Sequence, residues 1–319
     1  MQPILTQLFG QPLPAFFTMG ALAAGVGIFL LVRGARRWGL NPDCLFDLGL
    51  YAIIFGIAGA RLLHVLADGY LLDYIHLCTD PARVRWHITQ AQCQHAEGIW
   101  DAASRSCSPS ARDCFAWLAF WRGGLTYYGG VAAVLLFAVP YLRRHGQPLG
   151  KVADLIGITL PLSHALARTG CFLSGCCFGA ISHGHGLRFP AFSPASEAHF
   201  RQGLLDSPAQ ASLPVHPTQL YEAAGLWLIS ACIILVLGPR KRRDGQLMLA
   251  YLGLYATLRF SLEFLRADAR GLYLGLYTSQ WLSLAILAAA GAVWWRWRAV
   301  QVEARTDAYE TAGTSRPRV

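Results

Sequence analysis

Four clusters of polar residues could do chemistry, and each is set in apolar sequence. Arg168 opens the run Arg168-Thr-Gly-Cys-Phe-Leu-Ser-Gly-Cys-Cys-Phe-Gly179. An arginine fork beside exposed backbone N–H groups suits a phosphate, and Gly170, Gly175 and Gly179 let backbone approach a ligand or break a helix. The same arginine could instead snorkel to lipid headgroups. Tyr255, Arg259 and Glu263 recur at i, i+4 and i+8, which puts them on one helical face. Arg259 and Glu263 can pair, either as a structural ion pair or as the wall of a ligand site, and Tyr255 adds a hydroxyl. In Arg122-Gly-Gly-Leu-Thr-Tyr-Tyr-Gly-Gly130, paired glycines flank Tyr127 and Tyr128. A tyrosine hydroxyl there could meet substrate or lie in an interfacial aromatic belt. Finally, His216-Pro-Thr-Gln-Leu-Tyr-Glu222 places His216, Gln219 and Glu222 at a helix start, where capping and interfacial polarity compete with ligand binding. Ionisable groups at membrane depth are costly, so they are functional candidates by default. Together the clusters point to a phosphate-bearing headgroup handled near one face of a membrane.

The nine cysteines divide by context. Cys78, Cys93, Cys107 and Cys114 share one long polar segment. Their spacing lacks the close pairs of zinc modules, which favours two disulfides in an oxidising compartment, with the pairing open. Cys171, Cys176 and Cys177 belong to the Arg168 run. They read as small residues for close helix contact or as a disulfide, with a reactive thiol or a metal ligand as the alternatives. Cys44 and Cys232 read as apolar core residues.

The elements that must position these groups are membrane helices. Of 319 residues, 54% are hydrophobic and only 14% charged, too apolar for one soluble core. Seven apolar stretches stand out: Ala15 to Val32, Leu45 to Ala67, Leu125 to Leu142, Val152 to Leu173, Pro217 to Leu237, Gln246 to Leu265 and Leu272 to Trp295. Most approach the ~20 residues that cross a bilayer. No charged residue precedes Arg33, so the opening lacks the basic start of a secretory signal, and the first stretch is expected to be a retained span.

Basic residues fix the expected orientation. Arg33, Arg36 and Arg37 follow the first stretch, Arg143, Arg144 and Lys151 the third, Arg240 to Arg243 the fifth, and Arg296 and Arg298 the last. By the positive-inside rule that side is cytoplasmic, so the N-terminus lies outside and the C-terminus inside. The net charge of +9 is then a matter of orientation and not of nucleic-acid binding. The expected organisation is all-α: a membrane domain over 1–298, with an external cysteine-bearing insert at about 68–121 and an external loop at about 180–216. The polar stretch 299–319 is expected to be a disordered cytoplasmic tail. No internal repeat is evident, which weakens a transporter reading.

In their order on the chain, five motifs resemble the bacterial prolipoprotein diacylglyceryl transferases. They are Gly59-Ala-Arg61, Gly123-Gly-Leu-Thr-Tyr-Tyr-Gly-Gly130, Ala167-Arg-Thr-Gly-Cys-Phe-Leu-Ser-Gly-Cys-Cys-Phe-Gly179, His216-Pro-Thr-Gln-Leu-Tyr-Glu222 and Leu258-Arg-Phe-Ser-Leu-Glu-Phe-Leu-Arg266. The resemblance implies transfer of a diacylglyceryl group from phosphatidylglycerol to the lipobox cysteine thiol of prolipoprotein signal peptides, with glycerol phosphate released. No cofactor or metal is implied, and the partners are membrane lipid and precursor peptide. It implies an inner-membrane enzyme whose site faces the outer leaflet. Arg168, Arg259, Tyr128 and Glu263 are the implied catalytic residues. Gly129, Gly130, Gly179, His216, Gln219, Glu222 and Tyr255, with Arg168, are the implied substrate-binding residues. The chain departs from the family's usual Ser-Phe-His-Gly-Gly at Tyr128, where the histidine would stand, and from its Gly-Asn-Phe-x-Asn-Gly-Glu at Cys171 and Cys176. It resembles a cysteine-bearing branch of the family. His64 and His164 are further candidate bases. The alternatives are a relative with another acceptor, or a non-enzymatic transporter or lipid-binding factor.

Overall fold

The structure is a computed structural model that describes residues 4–8, 11–67, 69–86, 90–95, 97–120, 124–184, 186–266 and 272–314. Arg122, Gly123 and residues 315–319 therefore lie outside the described residues. The chain divides into two compact units, 1–42 with 148–319 and 43–147.

Each apolar stretch becomes a helix because its polar backbone can then be satisfied internally. In the first unit these are α1 (Ala15–Trp38), α6 (Leu149–Ser174), α8 (Thr218–Ala231, continued by a π-helical turn over Cys232–Leu237), α9 (Gln246–Glu263) and α10 (Thr278–Thr314). A short helix α7 (Pro194–Arg201) lies in the loop before α8, opened by Ser193, whose Oγ accepts from the Ser196 amide. In the second unit they are α2 (Pro42–Ala67), α3 (Leu71–Thr79), α4 (Gln90–His95) and α5 (Tyr127–Arg144). Among the described residues, Ala15–Trp38, Pro42–Leu66 and Thr218–Arg240 are long and apolar enough to cross a membrane. The protein is thus predominantly helical.

Short antiparallel pairs punctuate this all-α architecture: β1 (Ile4–Leu8) with β2 (Gln11–Pro14), β3 (Ile99–Asp101) with β4 (Ser106–Ser108), and β5 (Leu272–Tyr273) with β6 (Leu276–Tyr277). The last pair takes up the start of the seventh stretch. There Leu274 and Gly275 both have positive φ, a conformation that turns the chain and delays the helix to Thr278. At its far end α10 runs on to Thr314, through polar sequence with Ala at four positions, the strongest helix former, and Glu303, Arg305 and Glu310 among them.

In the first unit α6 is central, packed against α1, α8 and α9, while α10 packs on α9. Its apolar core joins Ala165 to Leu226, Ile229, Ile233, Leu247 and Tyr251. One buried charge anchors this arrangement. Asp154, fully buried near the start of α6, accepts from the amides of Gly245 (2.8 Å), Leu247 (2.7 Å) and Met248 (3.1 Å), the orphan donors at the start of α9. Lys241 pairs with the same carboxylate at 2.8 Å.

In the second unit α2 and α5 approach closely. A Cβ on Gly129 would stand 2.5 Å from Leu63 Cβ, and one on Gly130 would stand 2.8 Å from the Gly56 carbonyl oxygen. The cysteine-bearing insert is stapled by Cys78–Cys114 and Cys93–Cys107. A small core of Leu77, Val84 and Ala116 lies beneath. Arg61 ties the insert to α2: its guanidinium donates to the carbonyls of Trp117 (2.7 Å), Ala116 (2.8 Å) and Gly124 (3.2 Å) and lies over the Tyr74 ring.

Candidate functional site

The polar centre of the first unit is a carboxylate. Glu222, in the second turn of α8, is 1% exposed. Its Oε1 pairs with Arg168 Nη2 of α6 at 2.9 Å and accepts from the Tyr255 hydroxyl of α9 at 2.9 Å. His164, one turn before Arg168, brings Nε2 to 3.8 Å of the same oxygen, and its ring meets Tyr255 edge-on at 5.3 Å. One turn along α9, Arg259 pairs with the buried Glu263 at 2.6 Å. Arg168 and Arg259 both lie within electrostatic reach of His164. Three helices thus place two arginines, two carboxylates, a tyrosine and an imidazole in one cluster.

Arg168 has no acid within a turn of it in sequence to act as counter-charge. Glu222 supplies that charge from a neighbouring helix. Capacity remains: Arg168 Nε and Arg259 Nη1 are buried and have no hydrogen-bond partner among the described residues. Buried donors of this kind are nearly always satisfied in a working state. The arrangement therefore offers two charged donors to an anion.

The Arg168 run and the His216 motif come together just beyond. Gly175 adopts φ 73°, where a side chain would be strained, and ends α6. The Cys176 amide turns back to the Cys171 carbonyl at 3.1 Å. The start of α8 holds this turn: Thr218 Oγ1 donates to the Cys177 carbonyl (2.8 Å), and Gln219 Nε2 to that of Cys176 (2.6 Å). Gly179 donates to the His216 carbonyl at 2.8 Å and bridges Arg266 in strand-like fashion, so its place is backbone pairing. His216 Nδ1 is buried without a partner among the described residues.

The remaining residues singled out from sequence belong to the second unit. Gly129 and Gly130 are buried where α5 meets α2, a role in close helix contact. Tyr128 stands in the first turn of α5, 41% exposed, its ring against Tyr127. His64 lies beside Tyr70 and Tyr74. Sequence reasoning undervalued His164 and Glu222. The signal for His164 was its i−4 spacing from Arg168, which puts both on one face of α6. Two clefts, of about 280 and 370 Å³, lie away from this cluster, lined by residues such as Phe29 and Arg36 or Leu249 and Trp294.

Comparison with known proteins agrees with the motifs. The family model described as prolipoprotein diacylglyceryl transferase matches residues 3–296. The chain is 25% identical over 285 residues to the phosphatidylglycerol–prolipoprotein diacylglyceryl transferase of Clostridium tetani, covering 89% of this chain and 93% of that relative. It is 28% identical over 294 residues to transferase 2 of the same name from Clostridium perfringens, covering 90% and 92%. It is 27% identical over 276 residues to the Symbiobacterium thermophilum protein of that name, covering 86% and 84%. With a match over nearly its whole length, this chain belongs to the prolipoprotein diacylglyceryl transferase family.

Proposed function

We propose that this protein transfers the diacylglyceryl group of phosphatidylglycerol to the lipobox cysteine of prolipoproteins. The observation that carries the reading is the pair of arginines, Arg168 and Arg259, around His164, each with an unused buried donor. In the reaction a thiolate attacks the glyceryl carbon bonded to phosphate. The C–S bond forms as the C–O bond breaks, and glycerol phosphate leaves with the electron pair. Donors aimed at the departing phosphate lower the barrier because its charge grows in the transition state. Arg168 and Arg259 are the donors, and Glu263 orients Arg259.

Thiolate is the nucleophile, so the acceptor thiol must lose its proton. His164 takes this role as general base, and Glu222 at 3.8 Å stabilises the imidazolium that results.

The chain crosses the inner membrane seven times, N-terminus outside and C-terminus cytoplasmic. Within the first unit, Arg36, Lys151 and Lys241 mark the end of the helices remote from the Arg168 cluster. The positive-inside rule then turns the cluster toward the outer leaflet.

The test is transfer of labelled diacylglyceryl from phosphatidylglycerol to a lipobox peptide by the purified protein. One glycerol phosphate should appear per thioether. Turnover of lipid with no thioether would overturn the assignment of the acceptor.

A further inference from the structure

Where the family's usual motif carries asparagine and an acidic residue, this chain carries thiols, and the fold draws three of them together. The Sγ atoms of Cys171, Cys176 and Cys177 all lie within 4.8 Å of one another. They come from the last turn of α6 and the two residues after Gly175, so sequence spacing alone does not unite them. Gly175 and Cys177 both adopt positive φ, at 73° and 59°. Two left-handed residues so close together fold the chain back over the helix end. For a cysteine that conformation is costly, and it persists only where the surroundings enforce it. Here Thr218 and Gln219 enforce it by holding the carbonyls of Cys177 and Cys176 from α8.

We propose that Cys171, Cys176 and Cys177 form a trithiolate site for a soft, closed-shell cation, Zn(II) or Cu(I). With a Zn–S bond of about 2.3 Å, sulfurs around one ion lie about 3.8 Å apart. The observed spacing needs only small side-chain rotations to reach that distance. A disulfide would unite two sulfurs and leave the third unused, whereas a cation uses all three. The cysteines of the insert form bonded pairs, while these three are free thiols.

The surroundings suit a thiolate set. Cys171 is buried and the other two are partly so, which keeps competing water low. Three thiolates around Zn(II) leave one net negative charge, and around Cu(I) two. Arg168 and Arg266, both within electrostatic reach of Cys177, offset that charge. The thiol protons pass to solvent as the ion binds. Thr218 and Gln219 act as outer supports that hold the ligand-bearing backbone in place. Zn(II) would complete its coordination with water, while Cu(I) is served by soft sulfur ligands. In either case the ion would clasp the last turn of α6 to the turn that follows it, next to Arg168, as a structural clip. The inference does not rest on the transferase reading, because binding can be read without turnover.

The experiment uses the full chain, purified in detergent under anaerobic conditions. Zn(II) and Cu(I) are added in separate arms against competing chelators, and bound metal per chain is measured by mass spectrometry. Co(II) in a third arm should give a thiolate-to-metal charge-transfer band. One equivalent should bind in at least one of the first two arms. Cys171→Ser, Cys176→Ser and Cys177→Ser should each abolish that equivalent or weaken it at least tenfold, while Cys44→Ser and Cys232→Ser keep it. Should Cys171→Ser fail to fold, Cys176→Ser and Cys177→Ser decide the matter, since both residues follow the helix. Three results would overturn the proposal. These are no tight equivalent in the wild type, binding that survives in Cys176→Ser and Cys177→Ser, or a disulfide between two of the three cysteines in the anaerobic protein. Loss of transfer activity with metal binding intact would bear on the transferase reading alone.

Discussion

Replacing Glu222 by glutamine separates two roles that the cluster gives to one carboxylate. The side chain keeps its size and an acceptor oxygen for Tyr255 and Arg168, so folding should survive. What is lost is the negative charge beside His164. At 3.8 Å the gross attraction between a carboxylate and an imidazolium is about 4 kcal/mol at an effective dielectric constant of about 20. Solvation and rearrangement should leave roughly 2 to 3 kcal/mol of that. Because the imidazolium forms as the thiol is deprotonated, the loss falls on kcat, by about 30- to 150-fold at ~1.4 kcal/mol per tenfold. Arg168, meanwhile, loses its internal competitor for phosphate, so KM for phosphatidylglycerol should hold steady or fall. The assay is steady-state transfer of labelled diacylglyceryl to a lipobox peptide, with a melting curve to show that Glu222→Gln is folded. An unchanged kcat would refute His164 as the base supported by Glu222. A raised KM with normal kcat would reduce Glu222 to a positioning group for Arg168.

Three further outcomes are expected. Asp154→Ala should cost about 2 kcal/mol of stability, because it uncaps α9 and leaves Lys241 with Asp244 as its remaining acidic partner; denaturant midpoints in detergent check this, and a change under ~1 kcal/mol contradicts it. His199, buried in α7 with its Nδ1 accepting from the Leu213 amide, is held below the ordinary histidine pKa by desolvation. The unfolded loop therefore binds a proton that the folded one resists, so loop stability should fall as pH drops below about 6.5, the ordinary value; the hydrogen-exchange protection factor of the Leu213 amide should fall there in the wild type and stay level in His199→Gln. Reporter fusions at Arg143 and Arg242 should read cytoplasmic and one at Ser104 external, and the reverse pattern would invert the leaflet assignment.

The helices were legible because lipid-facing sequence is simple. Uninterrupted apolar runs such as Ala15 to Val32 leave the backbone little choice, and most helix limits fell within a few residues of the runs. The β5–β6 hairpin was hidden because Leu272 to Tyr277 is as apolar as the helix that follows, and only Gly275 marks the turn. Local ion pairs were also legible: Arg259 and Glu263 are four residues apart on one helix and do pair. The bond from Arg168 to Glu222 was not, since it depends on which faces of α6 and α8 meet. Asp154 shows the same limit, because a lone acid in an apolar run gives no hint that its partners are amides of another helix. Two disulfides were foreseeable from four cysteines in one polar segment, while their pairing needed the insert's fold. The close approach of Gly129 and Gly130 to α2 was hidden for the same reason, since it depends on which helix α5 packs against.

The most direct test of the central claim is to replace the two arginines and read binding and turnover separately. Arg168→Lys and Arg259→Lys keep the charge but lose the planar fork, so each should bind phosphatidylglycerol vesicles while transferring at least tenfold more slowly. Arg168→Ala and Arg259→Ala should lose more, because an interaction strongest with the departing phosphate is gone. Full transfer activity in both alanine variants would make the arginines structural and the proposed mechanism wrong.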